Sequence, residues 1–461
     1  MKKIPHVFVI VFFLIILAAV MTWILPGGSF DRKVERIDGI ERTVVVEGSY
    51  TRGESRPQVL EIFTAPILGF LKLAEIIAFI FIVGGSFYML NETGAIIAGM
   101  GKLVKLLKGR EYLVIPIVMV IFSLFGAIFG MCEEAMPFVL IFVPLAISLG
   151  YDSLVGISLT FLAAGVGFAG AFINPFTLQI AQKISDIKPV SGMGYRLIIW
   201  VVITAFMIIW VMVYAARIRK DPKKSIMYEQ DRKRREDLQR QQKAIAGFTW
   251  QHAACLFILL LGILFMILGV VVLDWYIREI AGLFLAMGLF SAIIAGRGMN
   301  EIARSFIEGC KEMVSAALVL GFVGGVIVIL ENGGIMDTIL NAMAGLVTGV
   351  PRILAADFQY LIQMFFNFFI PSGSTKAALT MPVMSQLADL SGITRQTAVL
   401  AYQFGDGFTN MIIPTSGVTI GTLAMARIPY EKWFKWNFPM QVGFFIISLL
   451  LLVWPVITHW Q

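Results

Sequence analysis

The residues of this 461-residue chain best suited to chemistry are a few acidic, basic and hydroxylic side chains stranded in apolar surroundings. Glu133 and Glu134 stand side by side in Gly130-Met131-Cys132-Glu133-Glu134, and Asp406 lies in Phe404-Gly405-Asp406-Gly407. Lys376 closes the run Pro371-Ser372-Gly373-Ser374-Thr375-Lys376 and is the basic residue nearest these carboxylates in the same apolar zone. A carboxylate at bilayer depth costs at least about 2.5 kcal/mol on insertion scales, so it keeps a partner or a proton. Lys376 could therefore neutralise one carboxylate or bind a substrate carboxyl group. Two helix-breaking segments complete the set: Asn174-Pro175-Phe176-Thr177 and Ile413-Pro414-Thr415-Ser416-Gly417, with Asn410 just before the second. Pro removes an N–H and disrupts the carbonyl bond one turn back. In hydrocarbon such freed groups cost several kcal/mol each, so they are buried or line a watery cavity. Helix N-termini at such breaks favour anions and loose carbonyls favour cations, which makes small ions the natural ligands. Each element also has a plain structural reading: Pro as a kink, Ser and Thr bonded to their own helix, a Glu capping the following arm, Tyr402 and Gln403 as packing. In Phe365-Phe366-Asn367-Phe368-Phe369, Asn367 reads as the one polar interruption of a lipid-facing or packed hairpin arm.

The elements that position these residues are membrane spans. The chain is 58% hydrophobic and 15% charged, and apolar runs near bilayer length recur at 7–24, 76–90, 197–213, 256–272, 283–295, 316–330 and 444–457. A span needs about 20 mainly apolar residues, so this is an all-α polytopic membrane protein. The first run ends in Pro26-Gly27-Gly28 without a small-x-small cleavage site and reads as an uncleaved helix. The chain is also duplicated. Val83-Gly84-Gly85, Leu90 and Gly94 recur as Val323-Gly324-Gly325, Leu330 and Gly334, Pro144 matches Pro382, and Asn174-Pro175 matches Ile413-Pro414. Breakers at matching places in two halves are the sequence pointer to a secondary transporter's binding site.

Charge supplies the orientation. The block 217–243, including Arg232-Lys233-Arg234-Arg235, reads as a helical, solvated cytoplasmic linker. Lys2-Lys3, the cluster Lys102, Lys105, Lys108 and Arg110, then Arg297, Arg304, Arg427, Lys432 and Lys435 share its side by the positive-inside rule. Segment 29–58 then faces outside, with a short strand pair around Thr43-Val44-Val45-Val46. These assignments fit together only if 113–149 and 352–388 are re-entrant hairpins entering from opposite faces. About nine crossings result, with the N-terminus inside and the C-terminus outside, and the second repeat is inverted relative to the first. The expected organisation is an N-terminal helix, external loop and interfacial segment at 1–75, then repeat one at 76–217 with a broken helix at 152–185. A charged linker at 218–250 and scaffold helices at 251–312 lead to repeat two at 313–461, whose broken helix covers 396–425.

The net charge of +7 sits in loops between spans, so it marks topology and no nucleic-acid surface. Cys132, Cys255 and Cys310 lack metal or redox spacing, and His6, His252 and His459 share no plausible site. No hydrolase, kinase or metal constellation is present. An enzyme is not expected, and neither is a cofactor; a channel and an aspartyl-type intramembrane enzyme are the competing classes.

At the motifs just described, and through Ala401-Tyr402-Gln403-Phe404 and Gly407-Phe408-Thr409-Asn410, the chain resembles the YfcC branch of the DcuC-type carriers over essentially its whole length. The resemblance implies the ion-transporter superfamily fold: two inverted repeats, each with a re-entrant hairpin and a broken helix, in a homodimer with an elevator-like transport domain. It implies a bacterial cytoplasmic-membrane location and H+ or Na+ as coupling ion. Where superfamily relatives carry Ser-Asn-Thr at the tips to bind sodium, this chain has Cys132-Glu133-Glu134 and Ser372-Gly373-Ser374. Substrates associated with the family are C4-dicarboxylates and basic amino acids. Three carboxylates around the cavity against Lys376 would repel a dianion, so the charge count favours a basic amino acid, with arginine–ornithine exchange as the leading reading. The expected substrate site comprises Glu133, Glu134, Asn174, Pro175, Thr177, Ser372, Gly373, Ser374, Thr375, Lys376, Asp406, Asn410, Pro414, Thr415 and Ser416.

Overall fold

A computed structural model describes residues 7–37, 40–46, 48–106, 109–244, 248–273, 275–347 and 349–460. Lys2-Lys3, His6 and Lys108 lie outside the described residues. The described chain is nearly all helix. Helix α1 (Val7–Ile24) is followed by short strands β1 (Gly28–Ser29), β2 (Arg32–Ile37), β3 (Ile40–Val45) and β4 (Thr51–Arg52). These form two antiparallel pairs, β1 with β4 and β2 with β3, so the expected strand pair is present.

Helix α2 (Glu61–Lys72) lies in the expected interfacial segment, and the stretch expected as the first repeat holds α3 (Ala74–Glu92), α4 (Ala95–Leu106), α5 (Val114–Phe129), α6 (Val139–Ser148), α7 (Ser153–Ile157), α8 (Ala163–Ala169), α9 (Leu178–Ile184) and α10 (Met193–Lys220). A π turn over Ser158–Leu162 joins α7 to α8. Helices α11 (Tyr228–Ala244), α12 (Trp250–Val272) and α13 (Ile277–Ile294) connect the halves. The second repeat follows the same order: α14 (Met299–Asn332), α15 (Met336–Ala344), α16 (Arg352–Phe369), α17 (Gly373–Leu390), α18 (Arg395–Asn410), α19 (Gly417–Met425) and α20 (Tyr430–Thr458). Thus α14 stands where α2 and α3 stand, the pair α16–α17 where α5–α6 stand, and α18–α19 where α7–α9 stand.

Equivalent elements run antiparallel. Cys310 lies against the Phe81 carbonyl at 3.4 Å while Arg297 reaches the Glu92 carbonyl at 3.0 Å, so α14 descends as α3 ascends. In the other equivalent pair, Gly165 of α8 packs on Met411 and Gly407 of α18 on Ala169, again in opposite directions. Antiparallel partners are what inverted copies require.

Among the described residues, six helices are long and apolar enough to cross a membrane: α3, α10, α13, α14, α20 and the helix Glu111–Phe129. Three shorter apolar helices, Phe8–Ile24, Ser153–Ala169 and Trp250–Met266, add to them. The chain is a multi-pass membrane protein. The helix Glu111–Phe129 has the length for a crossing and ends at Gly130, whose φ of 69° is the left-handed C-cap that glycine adopts without strain.

One expectation needs correction. The linker helix α11 is helical, but its inner face is not solvated. Asp231 is buried, and its Oδ2 accepts from the Ser153 N–H at 2.8 Å and the Ser153 hydroxyl at 2.9 Å. Arg235 donates to the Tyr151 carbonyl at 2.9 Å. The orphan N–H groups at the start of α7 need acceptors, and α11 supplies one. Burial pushes the Asp231 carboxyl above the ordinary range, opposed by its hydrogen bonds to Ser153.

Candidate functional site

The second hairpin builds a closed charge pair. Helix α16 ends at Phe369, the chain turns through Pro371-Ser372, and α17 starts at Gly373, which places Lys376 in its first turn. Helix α18 brings Asp406 alongside. Lys376 Nζ lies 2.9 Å from Asp406 Oδ1, and both side chains are fully buried. Nζ also donates to Asn367 Oδ1 at 3.1 Å and stands 5.1 Å from the Tyr402 ring centroid. Asn367 Nδ2 faces three acceptors: the Asp406 carbonyl at 3.2 Å, Thr409 Oγ1 at 2.6 Å and Asn410 Oδ1 at 3.0 Å. The Tyr402 hydroxyl donates to the Gly373 carbonyl at 2.7 Å. Asp406 Oδ2 carries no hydrogen bond. Desolvating two such ions costs several kcal/mol each, which their mutual attraction offsets only while both are present.

The first hairpin is arranged differently. Asn174 fits against Gly130, where a Cβ would come within 2.6 Å of Asn174 Oδ1. That oxygen accepts from the N–H groups of Phe176 (2.9 Å) and Thr177 (3.3 Å), satisfying backbone freed by the Pro175 break. Asn174 N–H in turn donates to the Ala127 carbonyl of α5 at 3.2 Å. Glu134 is buried, and its Oε2 accepts from the Cys132 N–H at 3.0 Å. Glu133 is half-buried and faces Tyr276 at the start of α13. Among the described residues, no Lys or Arg pairs with either glutamate.

Cross-repeat contacts join these parts. Gln403 Nε2 donates to the Phe168 carbonyl at 2.6 Å and to Thr177 Oγ1 at 3.2 Å. A Cβ on Gly373 would lie 2.5 Å from Thr177 Cγ2 and 2.9 Å from Asp406 Oδ2, so the second tip closes directly on the first break. Cys132 of the first tip shares one small cavity with Phe168, Gly407 and Asn410 beside the second break. Met136 packs on Gly421 of α19. Each tip therefore meets the break of the other repeat.

The expected site residues divide accordingly. Gly373, Lys376, Asp406, Asn410, Thr177 and Asn174 belong to this connected polar core. Glu133 and Glu134 edge it from the first tip. Buried Thr415 donates to the Phe368 carbonyl at 2.6 Å and Ser416 caps α19 through the Thr419 N–H at 3.4 Å, so both satisfy backbone at the break; Pro414 is buried beside them. Pro175 and Ser374 are half-buried. Ser372 and Thr375 bond each other at 3.0 Å on the exposed side of the tip. Three residues read as packing take polar roles: Asn367 holds both members of the ion pair, Tyr402 secures the second tip, and Gln403 ties it to the first break. A lone amide in a phenylalanine run at bilayer depth was the available signal for Asn367. The charge count also changes: Asp406 is matched by Lys376, leaving two carboxylates and not three.

The residues that form this core occur in a whole-chain match. Residues 4–457 match the family model for the C4-dicarboxylate anaerobic carrier, DcuC. The chain belongs to this family. YfcC of Escherichia coli (strain K12), whose name marks it as a candidate basic amino acid antiporter, is 37% identical over 98% of this chain and 95% of its own. An uncharacterized protein of Haemophilus influenzae (strain KW20) is 32% identical over 97% and 96%. Among solved structures, the Alcanivorax borkumensis YdaH transporter matches with a TM-score of 0.42 at 15% identity over 99% of both chains. This DcuC-family member is a transporter.

Proposed function

We propose that this carrier binds a basic amino acid, arginine or ornithine in exchange, where the two tips meet the two breaks. The observation that carries the reading is the commitment of Lys376 to Asp406, which leaves Glu133 and Glu134 at the opposite tip without a cationic partner among the described residues. A guanidinium or ammonium group supplies that partner, whereas a dicarboxylate would meet like charge. The name of the Escherichia coli relative points the same way. The second reading, a carboxylate carrier, is favoured by the family's description and requires H+ or Na+ to travel with the substrate.

An elevator-like displacement in a homodimer of the bacterial cytoplasmic membrane, N-terminus inside and C-terminus outside, is part of the same proposal. Two incompletely filled seams separate the hairpins from the α3 and α14 helices. One cavity of about 260 Å3 lies between Phe87 and Asn91 and the α6 arm at Val139 and Val143. The other, about 200 Å3, lies between Ile327 and Glu331 and the α17 arm at Thr375 and Leu379. Half-open clefts at matching places beside both hairpins suit a sliding interface.

The test is a thermal-shift screen of the purified protein with arginine, ornithine, lysine, succinate, fumarate and citrate, followed by counterflow in proteoliposomes. A ligand at a hundred times its Kd stabilises by about 2.7 kcal/mol. Stabilisation by dicarboxylates but not by cationic amino acids overturns the substrate assignment. Absence of saturable counterflow with either class overturns the carrier mechanism.

A further inference from the structure

We propose that Arg196, at the start of α10, is the centre of a binding site for a small monovalent anion, separate from the substrate site. Arg196 is 1% exposed, yet among the described residues no carboxylate pairs with it. Its Nη2 donates to Gln396 Oε1 at 3.1 Å and its guanidinium stands 5.3 Å from the Trp460 ring, while Nε and Nη1 have no hydrogen-bond partner. A guanidinium keeps its charge in proteins, so it cannot escape the cost of burial by losing a proton as a lysine can. A buried charge without compensation costs several kcal/mol, more than one amide oxygen and one ring face return.

Among the described residues, the surroundings do not supply the missing charge. The carboxylates on adjoining elements, Asp186 and Asp389, are each taken by Arg395 at 2.9 Å. The neighbouring amides are already engaged. Gln182 Nε2 donates to the same Gln396 oxygen at 3.1 Å, Gln182 Oε1 accepts from the Val190 N–H at 2.8 Å, and Gln396 Nε2 donates to Ser191 Oγ at 2.8 Å. The position in the first turn of a 28-residue helix adds positive potential and relieves none. The connecting segment holds Val190 at φ 63° and Gly192 at φ 71°. A β-branched residue in the left-handed region is a true outlier, retained here in the loop that leads into α10 and is tied to Gln182 and Gln396.

Two free N–H donors and a full positive charge, enclosed by saturated amides, fit an anion. Space limits its size: Arg196 Nε and Nη1 are buried, with almost no accessible surface on either nitrogen. Chloride or formate is in range, and phosphate or a dicarboxylate is not. Such an ion would bolt α9, α10 and α18, which come from both repeats, at one end of the bundle.

The experiment is thermal unfolding of the full-length purified protein in sodium gluconate at constant ionic strength, titrated with chloride, bromide or formate. Wild type is expected to gain about 2 °C or more in Tm, saturably. Saturation with chloride alone identifies an inorganic ion, and with formate alone a carboxylate. R196Q is expected to lose the anion response while keeping the shift caused by arginine, which separates this site from the substrate site. Should R196Q fail to fold, bromide anomalous scattering from wild-type crystals provides the reading, with a peak expected against Arg196. No anion-dependent shift in wild type, an unchanged shift in R196Q, or a bromide peak elsewhere overturns the proposal.

Discussion

The two hairpin tips occupy equivalent places in the duplicated fold and have opposite electrostatics. At the second, Lys376 and Asp406 are fully buried 2.9 Å apart, and Asn367 and Tyr402 secure them. At the first, Glu133 and Glu134 carry the same sign, and Glu134 accepts from the backbone N–H of Cys132. The second tip pairs its charges with each other, between α17 and α18. On the proposed function the first tip keeps its charge for a ligand, so the two tips would divide structural from binding roles.

The comparison breaks first at Lys376. K376M leaves Asp406 buried without a partner, and removing one member of such a pair costs about 3–5 kcal/mol. K376M/D406N removes the charge from both and should recover most of the loss. Unfolding of the solubilised variants as a double-mutant cycle reads the coupling directly. A double variant no more stable than K376M would show that the pair does not stabilise this tip.

Next comes the contact between the second tip and the first break. G373A places a Cβ 2.5 Å from Thr177 Cγ2, and overpacking of this kind costs about 1–3 kcal/mol. Thr177 is buried, so it cannot swing aside into solvent. T177S removes that methyl, and G373A/T177S should regain part of the lost stability and of the transport rate. Equal losses with and without T177S would place the strain at Asp406 Oδ2, 2.9 Å away.

Much of this frame was legible in the sequence because it rests on backbone punctuation. Pro175, Pro414 and Gly130 mark helix breaks and ends in apolar sequence. The pairing of Lys376 with Asp406 was legible only as one of two alternatives, since sequence gives no distance across thirty residues. Asn367, Gln403 and Tyr402 were missed for the same reason. Their significance comes from which helix faces them, and amide or phenol groups in a helix serve packing equally well. The docking of α11 was also hidden, because a charged helix with one buried aspartate has the composition of a solvated one.

With the frame intact, Glu133 tests the binding side of the comparison. E133Q removes the half-buried charge and should weaken arginine binding about tenfold, which is 1.4 kcal/mol. Unfolding stability should stay within about 0.5 kcal/mol of wild type, since the side chain has no described ion pair to lose. Titrated thermal shifts with arginine and ornithine measure the first quantity, and unliganded unfolding the second. Unchanged affinity in E133Q would remove the electrostatic argument for a cationic substrate.

The smallest effect is expected one residue further on, and it sharpens the contrast within the tip itself. Glu134 is buried and points back to the Cys132 N–H, an acceptor role that a glutamine carbonyl can also fill. E134Q should therefore cost less than about 1 kcal/mol in stability, because the hydrogen bond survives and only its ionic share is lost. Arginine affinity should fall less than in E133Q, since the charge that remains is the one facing outward from the turn. If E134Q instead weakens arginine binding more than E133Q does, the roles of the two glutamates are exchanged: Glu134 would turn outward from the Cys132 backbone when substrate arrives, and the tip would be remade on binding rather than preformed.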